Sequence, residues 1–210
     1  MDTTKKFVIT INREIGSGGG SIGRELAKRL GVDFVDKAIV ETLTKKFDLS
    51  VEEIEKLKAE KFNWWNEVAN TYVNRYYMSE RFDLDTIVPT TENIFKVESQ
   101  VLREIAAQGS CVIAGRSGFY IFRDEPNSVK IFIQSTKEKR LAHIMEKRNV
   151  SSDKAEKIIQ KVDEGRENYT KKFSGTSRYD TRNYDLAINV ANMTTDEAVD
   201  LILKFIEMKK

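Results

Sequence analysis

The chain has 210 residues, 40% of them hydrophobic and 32% charged, with a formal net charge of +2. That length fits one domain carrying an inserted segment, and the apolar share is enough for a sizeable core. The near balance of charge supplies no global field to draw the chain onto nucleic acid. A single cysteine, Cys111, rules out an internal disulfide, and a single histidine, His143, argues against His-ligated zinc and Ser-His-Asp chemistry. His143 lies in a helix rich in Arg and Lys and reads as a surface or boundary residue. No apolar run reaches membrane-spanning length, and the opening MDTTKK lacks the apolar stretch of a signal peptide, so a soluble cytoplasmic protein with no membrane partner is expected.

The first element is a short apolar run, Phe7, Val8, Ile9 and Ile11, of the kind a buried parallel strand shows. Gly16, Ser17, Gly18, Gly19, Gly20 and Ser21 follow, and then a helix with Ile22, Leu26 and Leu30 on one face and Gly31 as its C-cap. Strand, glycine-rich turn and helix make a phosphate-binding layout, because glycines let the backbone approach an anion and the helix N-terminus attracts it. Two patterns compete for the loop. The dinucleotide form G-x-G-x-x-G fits Gly18, Gly20 and Gly23, whereas the mononucleotide form G-x-x-x-x-G-K-[ST] fits with Gly19 as second glycine and Ser21 as hydroxyl. The latter register puts Glu14 at the first glycine and Gly20 where the lysine belongs.

Val32–Asp36 reads as a short strand, Lys37–Phe47 as a helix, and Ser50-Val51-Glu52-Glu53 as a capping box opening another helix to about Glu60. Residues 62–82 are aromatic, with Trp65, Ala69, Tyr72 and Tyr76 at helical spacing, and serve core or interface packing, including contact in a homo-oligomer, rather than base stacking. Asp83–Thr91 is a loop, and Glu92–Gln108 a helix with Val97, Val101, Leu102 and Ile105 inward. Ser110–Ala114 and Val129–Ile133 are further buried strands, and Leu186–Val190 is the last. Between them come a helix capped at Ser135–Glu138, a long polar helix over about Ser151–Lys172, and a flexible connection at Phe173–Ser177. Thr194-Thr195-Asp196-Glu197 caps the final helix. Alternating strands and helices predict an α/β fold, three layers (αβα) around a mainly parallel five-stranded sheet. Ligands of such sheets bind beyond the C-terminal strand ends, which brings together the 13–21 loop, Asp36 and Arg116.

Residues Thr10–Gly19 with Ile22-Gly23, and then Asp33–Lys37, Cys111–Ser117 and Asn183–Leu186, resemble the cytidylate kinase-like family of P-loop kinases. The resemblance covers most of the chain and leaves about 55 to 90 the least specific part. It implies a single domain over 1–210, with a helical acceptor-binding insertion at 37–91 and a lid at about 151–182. It also implies ATP-dependent phosphoryl transfer to a nucleoside monophosphate, CMP- or dCMP-like, with ATP and Mg²⁺. Cytidylate kinases carry Gly-Arg-Asp where this chain has Gly115-Arg116-Ser117, so the aspartate is missing here.

Gly16, Ser17, Gly18, Gly19, Gly20 and Ser21 are then the nucleotide cradle, and the Ser21 hydroxyl is the magnesium ligand. Asp36, Lys37, Arg116 and Ser117 form the acceptor side. Arg13, Arg116, Arg166 and Arg178 are the catalytic candidates, Arg13 standing in for the absent lysine unless it is only a surface ion pair with Glu14. Lys171, Lys172 and Arg182 are further cations of the basic, glycine-hinged segment 166–182. The missing lysine and aspartate also fit a nucleotide-binding protein with little or no turnover that acts through a partner, and the unspecific acceptor-binding middle leaves open a kinase of another small molecule.

Overall fold

A computed structural model describes residues 1–37, Val40 and 92–209, apart from the side chain of Asn93. The helices expected at 38–47 and from Ser50, the aromatic stretch 62–82 with its proposed oligomer contact, and the 83–91 loop lie outside the described residues, Val40 excepted.

In chain order the elements are β1 (Val8–Arg13), α1 (Gly19–Leu30), β2 (Asp33–Asp36), α2 (Glu92–Gln108), β3 (Cys111–Ala114), α3 (Gly118–Ile121), β4 (Ser128–Gln134), α4 (Lys137–Arg148), α5 (Ser152–Ser174), a 3₁₀ turn (Thr181–Asn183), β5 (Leu186–Asn189) and α6 (Thr195–Met208). The five strands form one sheet in the order β2-β3-β1-β4-β5, and each neighbouring pair is parallel. The expected three-layer α/β fold is the observed one, with strand bounds within a residue or two of those read from the apolar runs.

The period of two along the strands sorts side chains to the two faces of the sheet. Val8, Val35, Cys111 and Ile113 join Val97, Val101, Leu102 and Ile105 of α2 in one core. Ile9, Ile11, Phe34, Val112, Val129 and Ile131 meet Ile22 and Leu26 of α1 and Ala198 and Ile202 of α6 in the other. Burial of each such Leu, Ile or Val is worth roughly 1.5–3 kcal/mol, which is why both faces of a parallel sheet read as continuous apolar runs.

A third cluster ties the glycine loop to the C-terminal half. Ile15 packs with Ile144 of α4 and Ala155 and Val162 of α5. Local signals behave as expected: Gly31 caps α1 in the left-handed conformation, Thr136 caps α4, and Thr194 with Glu197 makes a complete capping box on α6. The connection at Phe173–Ser177 is more structured than its composition suggested. Helix α5 runs on to Ser174, Gly175 closes it in the left-handed conformation, and the Ser174 hydroxyl donates to the Thr170 carbonyl at 2.8 Å.

Candidate active site

All strands run the same way, so the C-terminal ends of β1, β2, β3 and β4 lie along one edge of the sheet. At the end of β1 the chain turns through Glu14–Gly18 into α1. Gly18 is the N-cap, with φ 78°, a left-handed value that costs an L-residue about 1–2 kcal/mol. The Ser17 hydroxyl, itself buried, donates to the Glu14 carbonyl at 2.9 Å and holds the turn closed. The first-turn amides of Gly19, Gly20 and Ser21 have no carbonyl four residues back to bond; that of Gly19 reaches only the Ser17 hydroxyl, at 3.4 Å. A Cβ built on Gly18 or Gly20 would meet none of the described residues within 4 Å. Ser21 is exposed in the first turn of α1.

Arg13 leaves the end of β1 beneath this loop and crosses β3. A Cβ on Gly19 would lie 2.7 Å from the Arg13 Cβ, and one on Gly115 would lie 2.2 Å from its Nη1. Gly115, at φ +87°, therefore leaves the space through which the guanidinium passes. Asp36, at the end of β2, is the carboxylate that most favours the Arg13 charge. Burial outweighs it, with Arg178 and Arg24 adding repulsion, and the Arg13 pKa is pushed down to about 10. Glu14 is not its partner. That carboxylate accepts from Arg140 at 3.0 Å and from the Ser135 amide at 3.2 Å, so the alternative of an Arg13–Glu14 surface pair is not what forms.

Two more arginines converge on the same point. The Arg13 carbonyl accepts from Arg166 Nη1 at 3.1 Å and from Arg178 Nη2. Arg178 is fully buried, and its Nε has no partner among the described residues. Burial, and then Arg13 and Arg178, hold the Arg166 pKa well below the usual arginine range. The segment 166–182 thus lies docked against the loop. The Arg178 amide donates to Glu167 at 3.0 Å, and the Tyr184 hydroxyl donates to the Arg178 carbonyl while accepting from Asn12, both at 2.7 Å. Lys171 pairs with Glu167 and Arg182 with Asp180 at the surface, away from this cluster.

Asp163 was not singled out from the sequence, yet it is the carboxylate at the centre. It is buried and accepts from the Ile15 amide at 3.1 Å, from Arg140, and from Arg178 at 3.4 Å. A signal was present: Asp163 falls four residues after Ile159 and next to Val162, on the apolar stripe that α5 lays against Ile15.

On the acceptor side Asp36 is buried and pairs with Arg24 at 3.6 Å, and Lys37 begins the next helical turn. Arg116 and Ser117 both have φ 52°, so two successive non-glycine residues sit in the left-handed region where β3 turns into α3. Strain of this kind, roughly 1–3 kcal/mol per residue, gathers at functional sites. Arg116 is ion-paired with Glu98 of α2 and lies 5.0 Å over the ring of Tyr169, whose hydroxyl donates to Glu98 at 3.2 Å. Ser117 is buried and donates to Thr170 at 3.4 Å. The loop, Asp36, Arg13 and Gly115-Arg116 thus share one end of the sheet, and α5 closes it from the other side.

Among the described residues no group of three or more His, Cys, Asp or Glu could hold a metal ion. No described helix is long and apolar enough to cross a membrane.

The chain superposes on an uncharacterized protein from Eubacterium ventriosum at TM-score 0.72 and 23% identity, covering 97% of this chain and 99% of that one. It superposes on a shikimate kinase from Acinetobacter baumannii, solved with shikimate, at TM-score 0.52 and 14% identity, over 100% and 99% of the two chains. A gluconokinase from Sinorhizobium meliloti gives TM-score 0.51 at 13% identity, over 97% and 93%. At these identities the likeness is one of fold, that of the P-loop kinases. Among curated proteins none matches. The model of the cytidylate kinase-like family matches residues 8–192, the span from β1 through the end of β5, and the chain belongs to that family.

Proposed function

We propose that the protein transfers the terminal phosphoryl group of ATP to a nucleoside monophosphate of the CMP or dCMP kind. The observation that carries this reading is the convergence of three guanidinium groups, Arg13, Arg166 and Arg178, at the start of an open glycine loop. Asp36 and Asp163 are the two acids set against these three mutually repelling cations, which leaves net positive charge at the site for a further anion to offset. A chain of phosphates is such an anion. The space that the described residues leave over Gly18 and Gly20, and the first-turn amides of α1, which have no helical carbonyl to bond, fit it.

In this reading the amides of Gly19, Gly20 and Ser21 hold phosphate oxygens, and the Ser21 hydroxyl is a ligand for Mg²⁺. The bound ATP–Mg²⁺ supplies the phosphoryl group and a cation that neutralises charge on it. Arg13 takes the place of the lysine absent at Gly20. Lying between the loop and the end of β3, it stabilises charge as the phosphoryl group moves from donor to acceptor. Arg166, partly exposed, faces the same oxygens, and the fully buried Arg178 reinforces the positive potential from behind. Asp36, Lys37, Arg116 and Ser117 orient the acceptor.

The pairing of Arg116 with Glu98 supports a second reading, a kinase whose acceptor carries no phosphate. There the buried arginine is already neutralised and Ser117 replaces an aspartate. One assay separates the two. ATP–Mg²⁺ is offered with CMP, dCMP, the other monophosphates and a panel of hydroxy acids and sugar acids, with nucleotide binding followed in parallel. Preferred turnover of CMP or dCMP, abolished in Arg13→Ala, is expected. Turnover confined to the phosphate-free acceptors would establish the second reading, and binding without any turnover would mark a nucleotide-binding protein acting through a partner.

A further inference from the structure

One carboxylate joins four parts of the chain at the mouth of the loop. Asp163 Oδ1 accepts from the Ile15 amide at 3.1 Å, lies 3.4 Å from Arg178 Nη1 and 3.9 Å from Arg166 Nη1, while Oδ2 meets Arg140. Those partners belong to the glycine loop, to the turn after α5, to α5 itself and to α4. Three of these contacts are hydrogen bonds, from Ile15 and Arg178 to Oδ1 and from Arg140 to Oδ2, and the Arg166 contact is an ion pair. The other acid of this cluster, Glu14, is taken up by Arg140 and the Ser135 amide. Arg166 and Arg178 therefore have Asp163 as their shared counter-charge, and each also donates to the Arg13 carbonyl, Arg166 through Nη1 and Arg178 through Nη2. Ile15 reinforces the link from the apolar side, its side chain packed against Ile144, Ala155 and Val162.

We infer that Asp163 is the positioning residue of the phosphate site: its charge holds Arg166 and Arg178 against the loop, and its hydrogen bond to Ile15 sets the loop's opening turn. The inference rests on the kinase reading for what the site binds, but not for what Asp163 holds. Without the carboxylate the guanidinium groups repel one another and turn towards water, where each is better solvated. Asp163 touches no phosphate in this arrangement and acts only through the groups it fixes.

Simple charge counting predicts the opposite effect on binding, and that makes the test sharp. Asp163→Asn keeps the shape and an oxygen for the Ile15 amide, and it adds one unit of positive charge beside the site. By net charge alone, anion binding would tighten. By positioning, it weakens about tenfold or more, the loss expected when a charge-assisted contact is no longer held in place. The probes are ATP–Mg²⁺ and inorganic tripolyphosphate, titrated by calorimetry, with the arginine Nε–H resonances of ¹⁵N-labelled protein read in the absence of ligand. We expect Asp163→Asn to keep the backbone spectrum of the sheet, to lose the displaced Arg166 and Arg178 Nε–H signals to the solvent-exchanging position, and to bind both probes more weakly. Equal or tighter binding with unmoved arginine signals would overturn the inference. Should the Asn variant fail to fold, Asp163→Glu decides the matter, because it keeps the charge but moves it by one methylene. Weaker binding and shifted arginine signals uphold the inference, and wild-type values in both overturn it. If wild-type protein binds neither probe, the kinase reading fails, and the arginine signals alone still decide the part of Asp163.

Discussion

Arg13 and Gly115 are built around each other. The guanidinium fills the place where a Cβ would stand, and the backbone there has φ +87°. Gly115→Ala should cost roughly 1–2 kcal/mol from the left-handed backbone and should also push Arg13 off its path. Turnover should fall at least about tenfold, with ATP affinity changed less, because the loop amides are untouched. Steady-state kinetics beside calorimetric titration checks the split, and equal losses in both would mean that Arg13 serves the donor alone. A second residue-scale expectation concerns Cys111, whose thiol burial pushes from 9.0 to about 12. A pKa raised in the folded state means that the folded protein holds its proton after the unfolded chain has released it. The contribution to stability is therefore complete below about pH 9 and is lost as pH climbs towards about 12. Urea unfolding across that window should show wild-type stability falling faster than that of Cys111→Ala. The buried thiol should also resist alkylation until the protein unfolds.

Among the elements, α1 and α2 make different demands. A Cβ at Gly20 meets none of the described residues within 4 Å, so Gly20→Lys should fold without loss, and the exchange of glycine for a good helix former gains up to about 1 kcal/mol. In an Arg13→Ala background it should partly restore ATP affinity, and a titration showing no recovery would locate the missing charge elsewhere, in Arg166 and Arg178. Helix α2 is tied to the end of β3 by the buried Arg116–Glu98 pair. Arg116→Ala leaves Glu98 buried and unpaired, at a cost of about 3–5 kcal/mol. Loss of acceptor binding in that variant alone is therefore ambiguous. Replacing both residues by Leu should recover most of the melting temperature, and monophosphate binding that stays lost in the double variant would assign Arg116 to the acceptor. The turn after α5 hangs on Tyr184, which bridges Asn12 and the Arg178 carbonyl. Tyr184→Phe removes both bonds, at about 1 kcal/mol each, and should speed hydrogen exchange across 175–183 well beyond that of the sheet. Slowing of that exchange by ATP with acceptor is expected of a lid; unchanged exchange would make the segment a fixed wall.

For the molecule as a whole, a net charge of +2 means that attraction for phosphate is a property of one end of the sheet rather than of the surface at large. Ligand binding to that end should stabilise the whole fold. ATP–Mg²⁺ at a hundred times its dissociation constant contributes about 2.7 kcal/mol, which for a chain of this size raises the melting temperature by on the order of 5–10 °C. Thermal unfolding with and without nucleotide, at low and high salt, measures it, and a midpoint unmoved by saturating nucleotide would remove the donor site from this account.

The five strands, the helices α1, α2, α4, α5 and α6, the caps of α1, α4 and α6 and the parallel order of the layers were legible from local pattern, whereas the short α3 and the 3₁₀ turn were not. Apolar runs of strand length, stripes at helical spacing and a glycine-rich turn each act over a few neighbouring residues, where chain geometry leaves few choices. The glycine loop and Arg13 belonged to that legible part, as did the placing of Asp36 and Arg116 at the strand ends. The partners of the charged side chains did not. Asp163 looked like one more acid on a solvated helix, Arg140 one more surface cation, and Glu98 and Tyr169 carried no signal of Arg116. Each meets its partner across many residues of sequence, and which acid neutralises which arginine depends on burial and distance once the layers have packed. That Arg140, Arg166 and Arg178 share one carboxylate at the mouth of the loop was decided only when α5 docked on Ile15.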